Sequence, residues 1–290
     1  MLDMSAALQP SGPLPTSARL RPKVWTASRI YANVVLVVLG AFFLTPMLWL
    51  ATASLDAHAT WQLKTPELTI GNFVEAMQPD YMHALGNSLL LSVVAAVVAT
   101  VAAFFAAYSF SRHHIPWKGP ILLTILFLSG VPITILIVPA YKMFAYMGWL
   151  SIFPTALLLG VTALPFEIYL IKNSIDAIPL DLEESASIEK AGTFQILSRI
   201  ILPLTMPGIA SAAIFGFVNS WGSFLIPIVL ISDFSEQPSP VRMYGFINSV
   251  QIHYGAIAAY SILYSLPVVI LYLLMSNSFR KGFVLGGAVK

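Results

Sequence analysis

The chain of 290 residues is 58% hydrophobic and only 10% charged, with a net charge of +2 and a mean hydropathy of +0.81. Soluble domains carry about 25% charged residues, so this composition excludes a domain that lives in water. The absence of cysteine excludes disulfide stapling and thiolate metal sites.

The first 30 residues are expected to form an arm outside the bilayer. Up to residue 23 they are rich in Ser, Ala and Pro (Pro10, Pro13, Pro15, Pro22), a composition that favours disorder. The following apolar run starts too late and is too long for a cleavable signal peptide. Six apolar stretches then lie near 31–53, 86–110, 119–141, 152–172, 207–231 and 255–279, each near the 20 or so residues that cross a bilayer as a helix. In lipid the backbone must satisfy its own polar groups. The expected fold class is therefore all-α: an integral membrane protein with six transmembrane helices over 31–280, followed by a short tail over 281–290. Of the 15 Lys and Arg residues, all but Lys64, Lys142 and Arg242 fall in the arm, the tail and alternate connections. That asymmetry places both termini in the cytoplasm.

In the connection 54–85, Thr69 and Asn72 are expected to cap a short interfacial helix with Phe73, Ala76 and Met77 on one side. The connection 232–254, with Pro238 and Pro240, reads as irregular. Arg112, His113 and His114 read as a positive cluster at the membrane edge. Adjacent histidines cannot share one helical face as metal ligands, and no metal site is expected.

The connection between the fourth and fifth spans is the most structured. Within 176–203, Asp181, Glu183 and Glu184 favour a helix N-terminus after Pro179. Gly192 is expected to break this helix and Thr193 to cap a second one, through Ile200 and Ile201. Glu183, Glu184 and Glu189 offer carboxylates to basic groups on a partner protein. No phosphate-binding glycine loop is present, so the chain is expected to bind no ATP, to carry no cofactor and to catalyse nothing itself. Within the spans, Glu167 is the one acidic residue, and an ionisable group at that depth faces the bundle interior or a wet cavity. Asn219, Trp221 and Ser223 add hydrogen-bonding and aromatic groups in the fifth span. These four are candidate substrate-path residues, with helix packing as the competing role for the fifth-span cluster.

The loop resembles the EAA motif of the permeases of ATP-binding-cassette (ABC) importers. Glu184 and Ala186 match its opening, and Ile200, Leu202 and Pro203 match its ending at the family's spacing. Ser185 replaces the second alanine, Glu189 stands where Asp is common and Lys190 replaces the glycine, so Gly192 is expected to supply the bend instead. Further matches point to the carbohydrate, maltose-type branch: Asn87-Ser88-Leu89, Ala106 to Arg112, Pro132, Pro139, Tyr141, Ala163-Leu164-Pro165-Phe166, Phe217, Trp221, Phe224 and the closing Gly286 to Lys290. The resemblance implies half of a pore for a sugar, with a second, different permease, a dimeric ATPase that hydrolyses ATP with Mg, and an extracytoplasmic solute-binding protein as partners. It also implies docking on the ATPase through Glu183, Glu184, Ser185, Ala186, Ile188, Glu189, Lys190 and Gly192. Nucleic acid is not an expected partner. Two rivals are an ion-gradient-driven secondary transporter working through Glu167 and an importer of glycerol phosphate or a polyol.

Overall fold

The computed structural model describes residues 27–247 and 252–287, with side chains over 30–247 and 252–274. The arm expected over 1–30 lies outside the described residues except for 27–30, as does the chain end over 288–290. All described residues belong to helices, turns and loops apart from two isolated bridges, Asp56–Leu68 and Ile247–Ile252.

Helix α1 covers Ala27–Ser54. Its first part, up to Met47, is a unit of its own. Apolar side chains such as Val37, Phe42 and Leu44 surround it on every side and none over 30–47 is buried, as suits a helix solvated by lipid. The larger unit begins at Leu48. There Asn72, in the short helix α2 (Gly71–Ala76), does not cap its own helix as expected. Its side-chain amide donates to the carbonyls of Ala53, Ser54 and Asp56 at the end of α1 (2.9–3.4 Å), groups a helix end leaves without partners. Thr69 does accept from the N–H of Gly71 at 3.0 Å.

Three helices make the core: α3 (Pro79–Arg112), α6 (Ile152–Asp176) and α9 (Leu202–Trp221). The inward face of α3 is built from small residues, among them Ala84, Ser88, Ala95, Ala99, Ala103 and Ala107, which lets the helices approach closely. At the tightest point a Cβ on Gly160 of α6 would stand 2.9 Å from the carbonyl oxygen of Ala95. With 34 residues, α3 is about 51 Å long, well beyond a hydrocarbon core of about 30 Å. It is therefore longer than the apolar layer is thick, and both of its ends carry loops.

Two expected spans differ from the straight helices anticipated. The third is broken into α4 (Lys118–Ser129) and α5 (Ile137–Met147), joined through a 3-10 turn at Ile133–Leu136 and bent by 79°. Gly130 and Pro132 stand at the break, where proline removes a donor and forces the preceding residue out of helical geometry. The fifth does not run from 207 to 231. It begins inside the loop and ends at Trp221, where Gly222 closes it, and a separate short helix α10 (Leu225–Leu230) follows. The last helix, α12, runs over Tyr254–Gly287 and packs on α2 and α9. It carries helical backbone into the segment expected as a tail from 281.

The connection 231–247 is more ordered than its prolines led us to expect. It contains α11 (Ser239–Arg242) between two 3-10 turns, and Tyr81 of α3 stacks on its Phe246 at 4.1 Å.

Candidate functional site

The loop between α6 and α9 forms two helices, α7 (Asp181–Ile188) and α8 (Thr193–Ile196). The turn between them is not where the sequence placed it. Gly192 has ordinary extended backbone (φ −71°), whereas Lys190 takes the left-handed conformation at φ +61°. The N–H of Ala191 donates to the carbonyl of Ala186 and that of Lys190 to Ser187, both at 3.0 Å. This is the bonding of a Schellman helix end, in which the left-handed position is usually glycine. Lys190 thus takes the left-handed geometry for which glycine is usually used, and the bend has not moved to Gly192. The cap of α8 is also one residue earlier than expected. Gly192, not Thr193, occupies that position, and its N–H is met by Gln195 at 3.0 Å.

From α8 the backbone continues without a break through a π-helical turn, Leu197–Ile201, into α9. Pro203 is the second residue of α9. It has no N–H for the carbonyl of Arg199 and its ring crowds that carbonyl; the wider π turn relieves this crowding. Residues 193–221 therefore form one helical rod leading from the loop into the core.

A clasp fixes α7 to the foot of α3. The Arg112 guanidinium donates to Glu183 at 2.5 Å and to the carbonyls of Ile175 and Ile178 at 3.1 and 2.9 Å. Tyr108 donates to the second oxygen of Glu183 at 3.2 Å. Both charged side chains are about nine-tenths buried. One cation thus meets the electronegative C-terminal end of α6 and an acid in the first turn of α7, each favourable to the helix dipole concerned. Arg112 is therefore no part of an exposed basic cluster, and Glu183 is not available to a partner. Sequence reasoning missed Arg112 and Tyr108 as parts of this site. The available signal was the charge complement between two connections assigned to the same membrane face.

The eight loop residues separate by face. Glu183 is buried. Ala186 is half-buried and, with Ala191 and Ile196, belongs to the apolar cluster that contains Phe104, Ala107 and Ile171. Glu184, Ser185, Ile188, Glu189, Lys190 and Gly192 are exposed, Ile188 by 83%, and Phe194 of α8 is 77% exposed as well. Among the described residues Glu184 and Glu189 form no ion pair. Exposed apolar side chains on a loop that also carries unpaired carboxylates make a surface able to receive a protein with basic side chains.

The four candidate path residues are not brought together. Glu167 is fully buried where α3, α6 and α9 meet. One oxygen accepts from Thr100 at 3.0 Å, and the other lies against Gly216, where a Cβ would stand 2.2 Å away. Trp221 is buried in a stack between Phe217 at 5.3 Å and Tyr264 at 4.9 Å. Asn219 is exposed on another face of α9 and Ser223 is half-buried beyond its end.

The family of binding-protein-dependent transport system inner membrane components matches residues 99–281. This chain belongs to that family. The match contains the clasp, the loop, α6 and α9, and the C-terminal part of α3. Among its relatives, the inner membrane ABC transporter permease protein YcjP of Escherichia coli K12 is 29% identical over 82% of this chain and 85% of its own. The trehalose transport system permease protein SugB of Mycobacterium tuberculosis is 28% identical over 90% of this chain and 97% of its own. A crystal structure of a bacterial ABC transporter involved in the import of the acidic polysaccharide alginate contains a chain of the same fold, with a TM-score of 0.73 over 88% of this chain and 98% of that chain at 19% identity. The protein is a multi-pass membrane permease of the ABC importer type.

Proposed function

We propose that this permease forms half of the pore of an ATP-driven sugar importer and couples to a separate ATPase through the exposed face of α7. The carrying observation is mechanical. The face formed by Glu184, Ser185, Ile188, Glu189 and Lys190 is tied to α3 by the Arg112 clasp and runs on through the rod 193–221 into α9. Force applied at that face reaches two of the three core helices through rigid elements, as a conformational switch driven from outside the membrane requires. In this reading the loop and both termini face the cytoplasm, in accord with the basic residues of the connections. A second, different permease completes the pore, an ATPase dimer carries ATP and Mg, and a solute-binding protein delivers the sugar on the opposite side. This chain then holds neither an ATP site nor a cofactor of its own. A sugar as cargo is supported by the relative that carries trehalose in its name. Membership of a binding-protein-dependent family speaks against an ion-gradient mechanism through Glu167, whose packing against Thr100 and Gly216 supports a role within the core.

The test is ATP hydrolysis and sugar uptake by the reconstituted four-component transporter. Glu184→Lys is expected to lower sugar-stimulated ATP hydrolysis at least ten-fold while the protein remains folded. Unchanged coupling in that variant would sink the docking role.

A further inference from the structure

The opposite end of α3 carries a second polar site. A half-open cavity of about 370 Å³ lies between the first turns of α3 and the connection 232–242, lined by Asp80, His83, Phe234, Ser235, Gln237 and Arg242 among others. Its volume falls in the range of small-molecule sites, about 300–1,000 Å³.

The connection is held in place before any ligand arrives. Asn87 donates to the carbonyls of Ser235 and Gln237 at 2.7 and 3.3 Å, and Ser88 accepts from the N–H of Ser239 at 2.8 Å. Glu236 accepts from the N–H of Ile152 at the start of α6 at 2.8 Å. Ser239 and Tyr260 of α12 share a hydroxyl hydrogen bond of 2.6 Å. Asp233 accepts from the hydroxyl and N–H of Ser235, bonds that hold its carboxyl below the usual carboxylate range.

Inside the cavity, the Arg242 side chain is nine-tenths buried and its guanidinium carbon lies over the Phe234 ring, 3.4 Å from the centroid, a cation–π contact. Its partner Asp80 stands 3.4 Å away and is 77% exposed, longer than the 2.7–2.9 Å or so of a closed charge-assisted bond. Both groups therefore keep hydrogen-bonding capacity. Phe234 is itself 65% exposed and presents apolar ring surface beside them.

We infer that this cavity binds a neutral polyhydroxylated ligand, a sugar ring, at the outer mouth of the permease; the location and the cargo rest on the function proposed above. Adjacent hydroxyls both donate and accept, so one donates a hydrogen bond to the Asp80 carboxylate while its neighbour accepts one from Arg242. The C–H face of the ring lies on Phe234, and Gln237 and His83 supply further donors and acceptors at the wall. The opposed charges of Asp80 and Arg242 favour neutrality. An anion approaching Arg242 meets Asp80, and a cation approaching Asp80 meets Arg242.

The test is saturation-transfer NMR on the intact permease–ATPase complex in lipid nanodiscs, without binding protein or ATP, using trehalose and maltose as probes and gluconate as the charged comparator. Transfer to at least one disaccharide is expected, reduced ten-fold or more by Asp80→Asn and by Gln237→Ala, each with an unchanged melting temperature. The inference falls if neither disaccharide gives a signal, if both variants retain it, or if gluconate binds more tightly than the sugars. It falls as well if Asp80→Asn spares sugar binding and, in a separate co-sedimentation of the nanodiscs with the solute-binding protein, weakens only that association, which would make the cavity a protein contact. The measurement involves no ATP, so its failure and a failure of the coupling test at Glu184 are read separately.

Discussion

The two ends of α3 hold their neighbouring loops with the same kind of pair, an arginine and a carboxylate, and do so in opposite ways. At the C-terminal end Arg112 and Glu183 stand 2.5 Å apart with both side chains buried, and a second nitrogen of the guanidinium closes on the carbonyls of Ile175 and Ile178. At the N-terminal end Arg242 and Asp80 stand 3.4 Å apart with the acid in solvent, and backbone bonds from Asn87 and Ser88 fix the loop instead. The difference teaches what each end is built for. A closed pair transmits displacement because separating it strands a charge in a low-dielectric site. An open pair on a fixed loop leaves hydrogen-bonding groups for a ligand.

The comparison breaks most readily at the closed end. Arg112→Ala leaves Glu183 buried without its cation, and breaking such pairs costs about 3–5 kcal/mol. Thermal or denaturant unfolding in detergent is expected to show that loss, together with loss of coupled ATP hydrolysis. A cost under about 1 kcal/mol would put the clasp in the same class as an exposed pair.

Next in size is the shaft between the ends. Gly160→Ala places a methyl 2.9 Å from the carbonyl of Ala95, and overpacking of this kind costs about 1–3 kcal/mol. Because the obstacle is backbone, α3 and α6 have to separate, so the melting temperature is expected to fall and communication between the ends to weaken.

Lys190→Gly is expected to act in the other direction. A non-glycine residue in left-handed geometry costs about 1–2 kcal/mol, part of which glycine returns as greater chain entropy in the unfolded state. A gain of about 1 kcal/mol in the same unfolding assay is the expected outcome. A loss would show that the lysine side chain, not the backbone turn, holds α7.

The smallest effect is assigned to the open end. Asp80→Asn is expected to change stability by no more than about 0.5 kcal/mol, as for an exposed pair. A cost similar to that of Arg112→Ala would erase the distinction between the two ends.

Much of this architecture was legible in the residues. The helical character of the loop 176–203 followed from its acids, its prolines and the EAA spacing. Its turn did not: glycine preference pointed to Gly192, yet the Schellman bonds fall where the helix geometry ends, and Lys190 accepts the strained backbone there. The 79° break in the third span was visible only as Gly130 and Pro132, residues that apolar spans also tolerate without breaking. Glu183 read as an exposed carboxylate for a partner protein because its internal partner lies 71 residues away. For the substrate path, the types of Trp221 and Asn219 did not reveal which face of α9 each occupies, and the structure separates them.

The sequence by itself determined the class of the protein and the location of its apolar elements. Lipid leaves the backbone no partner except itself, so length and hydropathy alone specify membrane helices. It also determined that a structured acidic loop lies between the fourth and fifth of them. Only the tertiary structure decided which polar groups meet. Those pairings bring together residues remote in sequence, and whether a carboxylate becomes an internal anchor, a docking contact or a ligand-binding group depends on its distance from its cation and on its share of solvent.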